Sequence, residues 1–527
     1  MPVPRSNISR ISIQNFKFFQ QAIPIVLDGD HLLLYGENGS GKSSIYWALY
    51  TLLECANKDD IGEIKKYFDP DEDNEEKLTN LFLTPGNPDW VDSEIIIELQ
   101  DGTVFRVSFG DTAINTMTDA SAANYASEFL NYKMIFRLYN FAHCDPINIF
   151  NYFIGEVLPY VKFAPVKYWL KKDDGSADIE NESENAKEIW DFVFNGPPRT
   201  GKTKGKGTPR FPLRSEADFG TYKNIINGFK NELNALITTI NTEGNKILQN
   251  DFGYNFNFKL ELIEEVPLKL SELQFSPPKF AIQLSIPLFQ NKPGIYRPHT
   301  FLNEARLSAL GLSIRFAILQ RRLQDSKLKM AILDDFMISL DMKNRDVALD
   351  FILDKISKDY QLLILTHDRY LYELIRDKIK RQRLTDWKYY QMFEDYNDPP
   401  TMLFPFLIED KGKINKAKAF YKAKEFSASA NATRQAAEKF CNQYLTAHEQ
   451  LGGDYRPMSL DGKLQRVIIK GTAAGIDPVL FQDLRDYKDR ILNPNSHYDI
   501  ETPLFSNELE KAIQTIERLS IVTGIIL

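Results

Sequence analysis

A short glycine-rich segment with a lysine and two serines constrains this chain more than any other feature. Gly36-Glu37-Asn38-Gly39-Ser40-Gly41-Lys42-Ser43-Ser44 follows directly on an apolar run, His31 to Tyr35. Ile45, Leu49, Leu52 and Leu53 come next at helical spacing. Strand, glycine turn and helix in that order make a phosphate-binding loop. The glycines let backbone N–H groups wrap phosphate oxygens, Lys42 reaches the outer phosphates and Ser43 holds Mg2+. The helix N-terminus adds the positive end of its dipole. Gly36, Asn38, Gly39, Gly41, Lys42, Ser43 and Ser44 are the expected nucleotide contacts.

The pattern occurs a second time, letter for letter, at Gly196-Pro197-Pro198-Arg199-Thr200-Gly201-Lys202-Thr203. Lys204-Gly205-Lys206-Gly207-Thr208-Pro209 follows it, and glycine and proline break a helix at once. Without a helix there is no dipole and no cradle of N–H groups, so this copy is a decoy. Arg199, Lys202, Lys204, Lys206, Arg210 and Arg214 instead predict a cationic loop over residues 199–214. It is a candidate contact for the DNA or RNA backbone, with a solvated linker as the alternative.

Lys329-Met330-Ala331-Ile332-Leu333-Asp334-Asp335 is an apolar strand ending in two carboxylates, the Walker B arrangement. Asp334 is expected in the Mg2+ shell and Asp335 to polarise the attacking water. Ser339-Leu340-Asp341 follows, and Leu362 to Thr366 is a further buried strand that ends at His367.

These motifs together resemble the ABC-type ATPases of the SMC/RecF class, including relatives in bacterial antiphage defence such as the Septu-type and retron-associated ATPases. Ile11 to Leu53 has the form of that class's first strands and phosphate loop. Phe301 to Leu310 stands where its signature helix begins, with Asn303 in the serine place and Ala305 in the glycine place. The resemblance makes His367 the switch histidine and Asp341 the D-loop aspartate. Asp335 stands where a glutamate is usual, one methylene shorter, which implies slow turnover. No glutamine loop is placed. The class also implies an ATP-sandwiched homodimer or higher homo-oligomer: Lys42, Ser43, Asp334, Asp335 and His367 act from one subunit, Asn303 and Arg306 from its partner.

The expected fold class is α/β, an ABC/SMC-type P-loop ATPase head with a short helical insertion and an α-helical C-terminal domain. Its divisions are 1–170 (N-lobe), 171–253 (insertion with the basic loop), 254–395 (C-lobe with signature, Walker B and switch histidine) and 411–527 (helical domain). Phe219, Tyr222, Ile226, Phe229, Leu233, Leu236 and Ile240 alternate gaps of three and four, a heptad seam on a helix of roughly 45 Å. A short protruding helix fits this insertion; it lacks the length for long SMC arms and the CxxC pair for a zinc hook. Ala417 to Leu445 and Asn507 to Leu519 are predicted helices. In the tail Arg490 and His497 loosely resemble the catalytic pair of HEPN ribonucleases, and bracing of a helix end is the plainer alternative.

Composition narrows the partners. The chain holds 64 Lys and Arg against 72 Asp and Glu, for a net charge of −8. It is no general nucleic-acid coat, so any such contact is local. Three scattered cysteines, Cys55, Cys144 and Cys441, exclude a disulfide scaffold and fit a reducing cytoplasm. No apolar run reaches membrane-spanning length. The expectation is a cytoplasmic Mg2+-ATP-dependent ATPase that regulates a nuclease effector supplied in trans in antiphage defence. The alternatives are a nucleotide-gated HEPN-like ribonuclease and a RecF-like DNA-repair ATPase.

Overall fold

The computed structural model describes residues 4–87, 89–172, 179–195, 199–200, 219–265, 279–338, 340–396, 403–410, 412–488 and 506–525. They divide into two compact units, Met1–Ile408 and Glu409–Leu527.

The first unit is built on a six-stranded sheet. Its spatial order is Leu403–Glu409, Trp387–Tyr396, His31–Gly36, Gln361–Thr366, Met330–Asp334 and Glu128–Asn131. The registered pairings among the last five are all parallel. A parallel sheet is buried on both faces, so its strands are apolar without interruption, and successive residues serve different cores. Leu32, Leu34, Met330, Ile332, Leu363 and Leu365 join one cluster, with Ile45, Leu49 and Leu52 of the helix Lys42–Cys55. Leu33, Ala331, Leu333, Leu362 and Ile364 join the other, with Leu312 and Ile314 of the helix Glu304–Leu319.

A four-stranded antiparallel sheet, in the order Ile23–Val26, Ile8–Gln14, Glu94–Leu99 and Val104–Ser108, completes the first cluster with Ile11, Ile13, Ile95 and Ile97. The helix Lys42–Cys55 therefore shares one core with both sheets. The opposite core is tied by charge. Arg315, from the helix Glu304–Leu319, and Arg322 both pair with Glu128, and all three side chains are 1–2% exposed. Arg315 also donates to the Tyr152 hydroxyl (3.1 Å) and the Glu156 carbonyl (2.8 Å). The pairing with Glu128 offsets the cost of burying both guanidinium groups, although Arg322 Nε and Nη1 are buried without a hydrogen-bond partner.

The stretch expected as a helical insertion, 171–253, holds strand as well as helix, continuing a strand that begins before it. Lys162–Lys172 and Ile179–Asn185 pair antiparallel, and Arg199–Thr200 adds a short parallel strand. The helix Phe219–Lys246 follows. Its predicted seam is real, since Tyr222, Ile226, Phe229, Leu233, Leu236 and Ile240 are all buried. The expectation that this helix protrudes is wrong. The seam belongs to the same core as the helix Glu304–Leu319, and a Cβ on Gly244 would lie 2.7 Å from the Phe258 ring and 3.3 Å from the Ser313 carbonyl. Ridge packing within the chain satisfies the apolar stripe, and no coiled-coil partner is required.

The second unit is helical: Gly412–Lys422, Phe426–Tyr444, Leu460–Ala473, Pro478–Tyr487 and Ser506–Thr523 surround a core that includes Phe440, Leu464, Phe481 and Ile516. The single helix expected over 417–445 is two helices. The chain turns at Lys424, whose φ of +65° is left-handed, and no glycine or proline announces the break. Arg490 and His497 lie outside the described residues, as do Ser339 and the cationic loop beyond Thr200.

Candidate functional site

The glycines of the phosphate loop do what their spacing requires. Gly39 and Gly41 have φ of +92° and +100°, the left-handed region that only glycine enters freely. A Cβ on Gly41 would sit 2.7 Å from the Phe18 ring, and Gly41 itself caps the helix Lys42–Cys55. Lys42 is buried, and its Nζ donates to the carbonyls of Gly36 (2.7 Å) and Glu37 (2.8 Å). Burial lowers its pKa, and the carboxylates of Asp335, Asp334 and Glu37 oppose that shift. Asn38 is exposed on the loop, and the buried Ser40 hydroxyl has no protein partner.

The two halves of the sequence meet at Ser43, whose Oγ donates to Asp334 Oδ2 at 2.9 Å. The other oxygen, Asp334 Oδ1, is buried and unpaired. Burial and then the neighbouring Asp335 charge push the Asp334 carboxyl up to about 6, against the Ser43 hydrogen bond and the Lys42 and His367 charges. An orphaned buried carboxylate oxygen beside a serine hydroxyl is the donor set that Mg2+ takes when substrate phosphates and water supply its remaining ligands. The residues present therefore fit the ion. Among the described residues no group of three or more His, Cys, Asp or Glu side chains forms a metal cage.

Asp335 has a φ of +50°, strained for a residue other than glycine. Its N–H donates to the Leu365 carbonyl (3.0 Å), and its Oδ1 accepts from the His367 backbone N–H (3.0 Å). His367 Nδ1 lies 2.9 Å from that same oxygen, a contact off the hydrogen-bond line. Lys42, Ser43, Asp334, Asp335 and His367 are thus brought to one end of the parallel sheet.

Other expected residues lie differently. The Ser44 Oγ accepts a long hydrogen bond from the Phe18 N–H (3.4 Å), which leaves its own O–H to donate, and its backbone N–H donates to the Gly41 carbonyl. Asn303 and Asp341 make their contacts in a second group. Each caps a helix, Asn303 by accepting from the Arg306 N–H (3.2 Å) and Asp341 from the Asn344 N–H (2.9 Å). Tyr254 joins this group through its hydroxyl on Asn344 Oδ1, 2.9 Å away.

One residue at the sheet end escapes the sequence motifs. Asn131 is the register partner of Asp334, and its Nδ2 donates to the Tyr46 hydroxyl at 3.2 Å. Its strand, Glu-Phe-Leu-Asn, has four residues and no flanking glycine, so the only pointer to it is the pairing itself.

The family model for the AAA ATPase domain matches residues 7–286, more than half of the chain. The chain belongs to this family. No curated protein shows a significant match. Among solved structures it is similar to an Smc head bound to the C-terminal winged-helix domain of ScpA, at 13% identity and TM-score 0.38, over 76% of this chain and 98% of that one. A Pyrococcus furiosus Smc head with an extended coiled coil, bound to the ScpA C-terminal domain, gives 12% and 0.35 over 80% and 100%. The Thermotoga maritima SMC head gives 14% and 0.30 over 76% and 99%. Among the described residues no helix is long and apolar enough to cross a membrane.

Proposed function

We propose that this protein binds and hydrolyses Mg2+-ATP at the end of the parallel sheet, and that two copies act as a pair. The observation that carries the reading is the meeting of Ser43 with Asp334 beside Lys42, Asp335 and His367. Lys42 and the N–H groups from Gly36 to Ser43 hold the phosphates. Ser43 and Asp334 hold Mg2+, which when bound offsets phosphate charge. Asp335 orients the attacking water and takes up its proton, and His367 lies against the same carboxylate. With a carboxylate drawn against the His367 N–H, turnover is slow. Asn303 and Arg306 complete the site from the partner's head, and Asp341 is the D-loop aspartate.

The motif resemblance supports a role as the sensor or regulator of a nuclease supplied in trans in antiphage defence, in the cytoplasm, with 1–170 and 254–395 as lobes of one head, 171–253 inserted between them and 411–527 as a helical C-terminal domain. The test is ATP hydrolysis by the purified chain together with its size in ATP. A wild-type protein that neither hydrolyses ATP nor binds it more tightly than Lys42→Ala sinks the enzymatic reading. An effector-free genomic neighbourhood and no protection against phage sink the defence role.

A further inference from the structure

Arg345 lies on the second turn of the helix Met342–Phe351, outside every motif that marks the site. Its side chain is only 14% exposed, and every nitrogen of its guanidinium is used. Nε donates to the carbonyls of Met337 (3.1 Å) and Leu340 (2.9 Å), and Nη2 to that of Ile338 (3.3 Å). Nη1 donates to Asp368 Oδ2 at 2.6 Å. The other oxygen of Asp368 caps the helix Arg369–Arg381, accepting from the N–H groups of Tyr370 (2.9 Å) and Leu371 (3.1 Å).

These bonds join two segments that both touch the reacting end of the sheet. One runs from Asp335 through Met337, Ile338 and Leu340 to Asp341. The other is His367-Asp368. The two already meet once, where the His367 N–H fixes Asp335 Oδ1. Arg345 supplies a second tie one residue further along, and three carbonyls plus a carboxylate on one planar fork leave little freedom of rotation. A lysine carries the charge but cannot reach four acceptors at once. A tie of this kind exceeds what the helix itself needs, because the N-terminus of Met342–Phe351 is already capped by Asp341.

We propose that Arg345 is a positioning residue for hydrolysis, holding the Asp341 loop against the end of the switch strand so that Asp335 keeps the orientation set by His367. It touches neither nucleotide nor Mg2+ and acts through Asp368 and the loop carbonyls. The inference rests on the ATPase reading above. A misplacement of about 1 Å at the water-orienting carboxylate costs on the order of 100-fold in rate, whereas phosphate binding through Lys42 and the glycine loop is untouched. The signature is therefore a split between turnover and binding.

The experiment measures ATP affinity, ATP-induced change in size, kcat and melting temperature for the wild type, Arg345→Met, Arg345→Lys and Asp368→Asn. Expected for Arg345→Met are a kcat lower by about tenfold or more, an ATP affinity within about threefold and retained association in ATP. Arg345→Lys should fall between it and the wild type. Asp368→Asn keeps the helix cap but weakens the tie, and combining it with Arg345→Met should add less than the product of the two separate losses. A hydrolysing wild type whose Arg345→Met variant keeps kcat within threefold overturns the assignment alone. So does loss of ATP affinity, melting temperature and kcat together in both Met and Lys variants, which marks a purely structural arginine. A wild type that does not hydrolyse ATP overturns the ATPase reading and this inference with it.

Discussion

Ser43 Oγ and Asp334 Oδ2 stand 2.9 Å apart although 291 residues separate them in the chain. That single hydrogen bond joins the glycine loop to the acidic strand end, and the groups around it are set for the same chemistry. Lys42 is desolvated, Asp334 keeps one oxygen free, and Asp335 turns toward His367.

Asp334 makes stability depend on pH in a defined direction. Burial, and then the Asp335 charge, raise its carboxyl to about 6, well above the usual carboxylate range. The folded state therefore prefers the protonated form, and ionised Asp334 destabilises the ligand-free protein above pH 6. That cost fades as the pH falls through 6 toward 4. Asp334→Asn should raise the stability of the ligand-free protein at pH 7.5 by about 1–3 kcal/mol, and the gain should shrink near pH 5. Denaturant titrations at the two pH values check this; an equal or negative difference at both excludes it.

Lys42→Ala removes the buried ammonium that the Gly36 and Glu37 carbonyls hold in place. Nucleotide affinity should fall by about 100-fold, the effect of losing a charge-assisted phosphate contact of roughly 3 kcal/mol. Calorimetry with ATP reads it directly, and an unchanged affinity would mean that phosphates bind elsewhere.

Asp335→Asn keeps the size of the side chain and removes its basicity. Hydrolysis should slow by about 100-fold with little change in ATP affinity, and the ATP-bound, associated form should accumulate. Size-exclusion chromatography in ATP decides the matter: a variant that elutes as without nucleotide speaks against the sandwich.

The helical unit offers a control outside the motifs that mark this chemistry. A Cβ on Gly471 would lie 2.3 Å from the Phe481 ring. Gly471→Ala should destabilise the helices of residues 412–525 by about 1–3 kcal/mol while ATP affinity stays at the wild-type level. Thermal melts show whether it does, and a melting curve superimposable on the wild type's would mean that the two helices move apart freely.

How much of this is legible in the sequence depends on the range of the interaction that fixes each piece. The glycine loop, its helix, the strands before it and the strands ending at Asp334 and Thr366 can be read because apolar period and glycine chemistry are local. Asn131 cannot, since only pairing with a strand about 200 residues later puts it beside Asp334. Lys424 breaks a helix with no breaker residue, and the seam from Tyr222 to Ile240 shows an apolar stripe without naming its partner.

The strand order carries a consequence for biosynthesis. His31–Gly36 and Glu128–Asn131 are not neighbours; Gln361–Thr366 and Met330–Asp334, made much later, fill the space between them. A nascent chain leaving the ribosome thus presents Glu128–Asn131 without its partner until about residue 334 has emerged, and His31–Gly36 without one until about residue 366, a long exposure for strand edges. Stalled nascent chains should gain protease resistance in residues 31–36 only beyond that length, and protection in chains halted at residue 300 would show that the early strands find a different arrangement first.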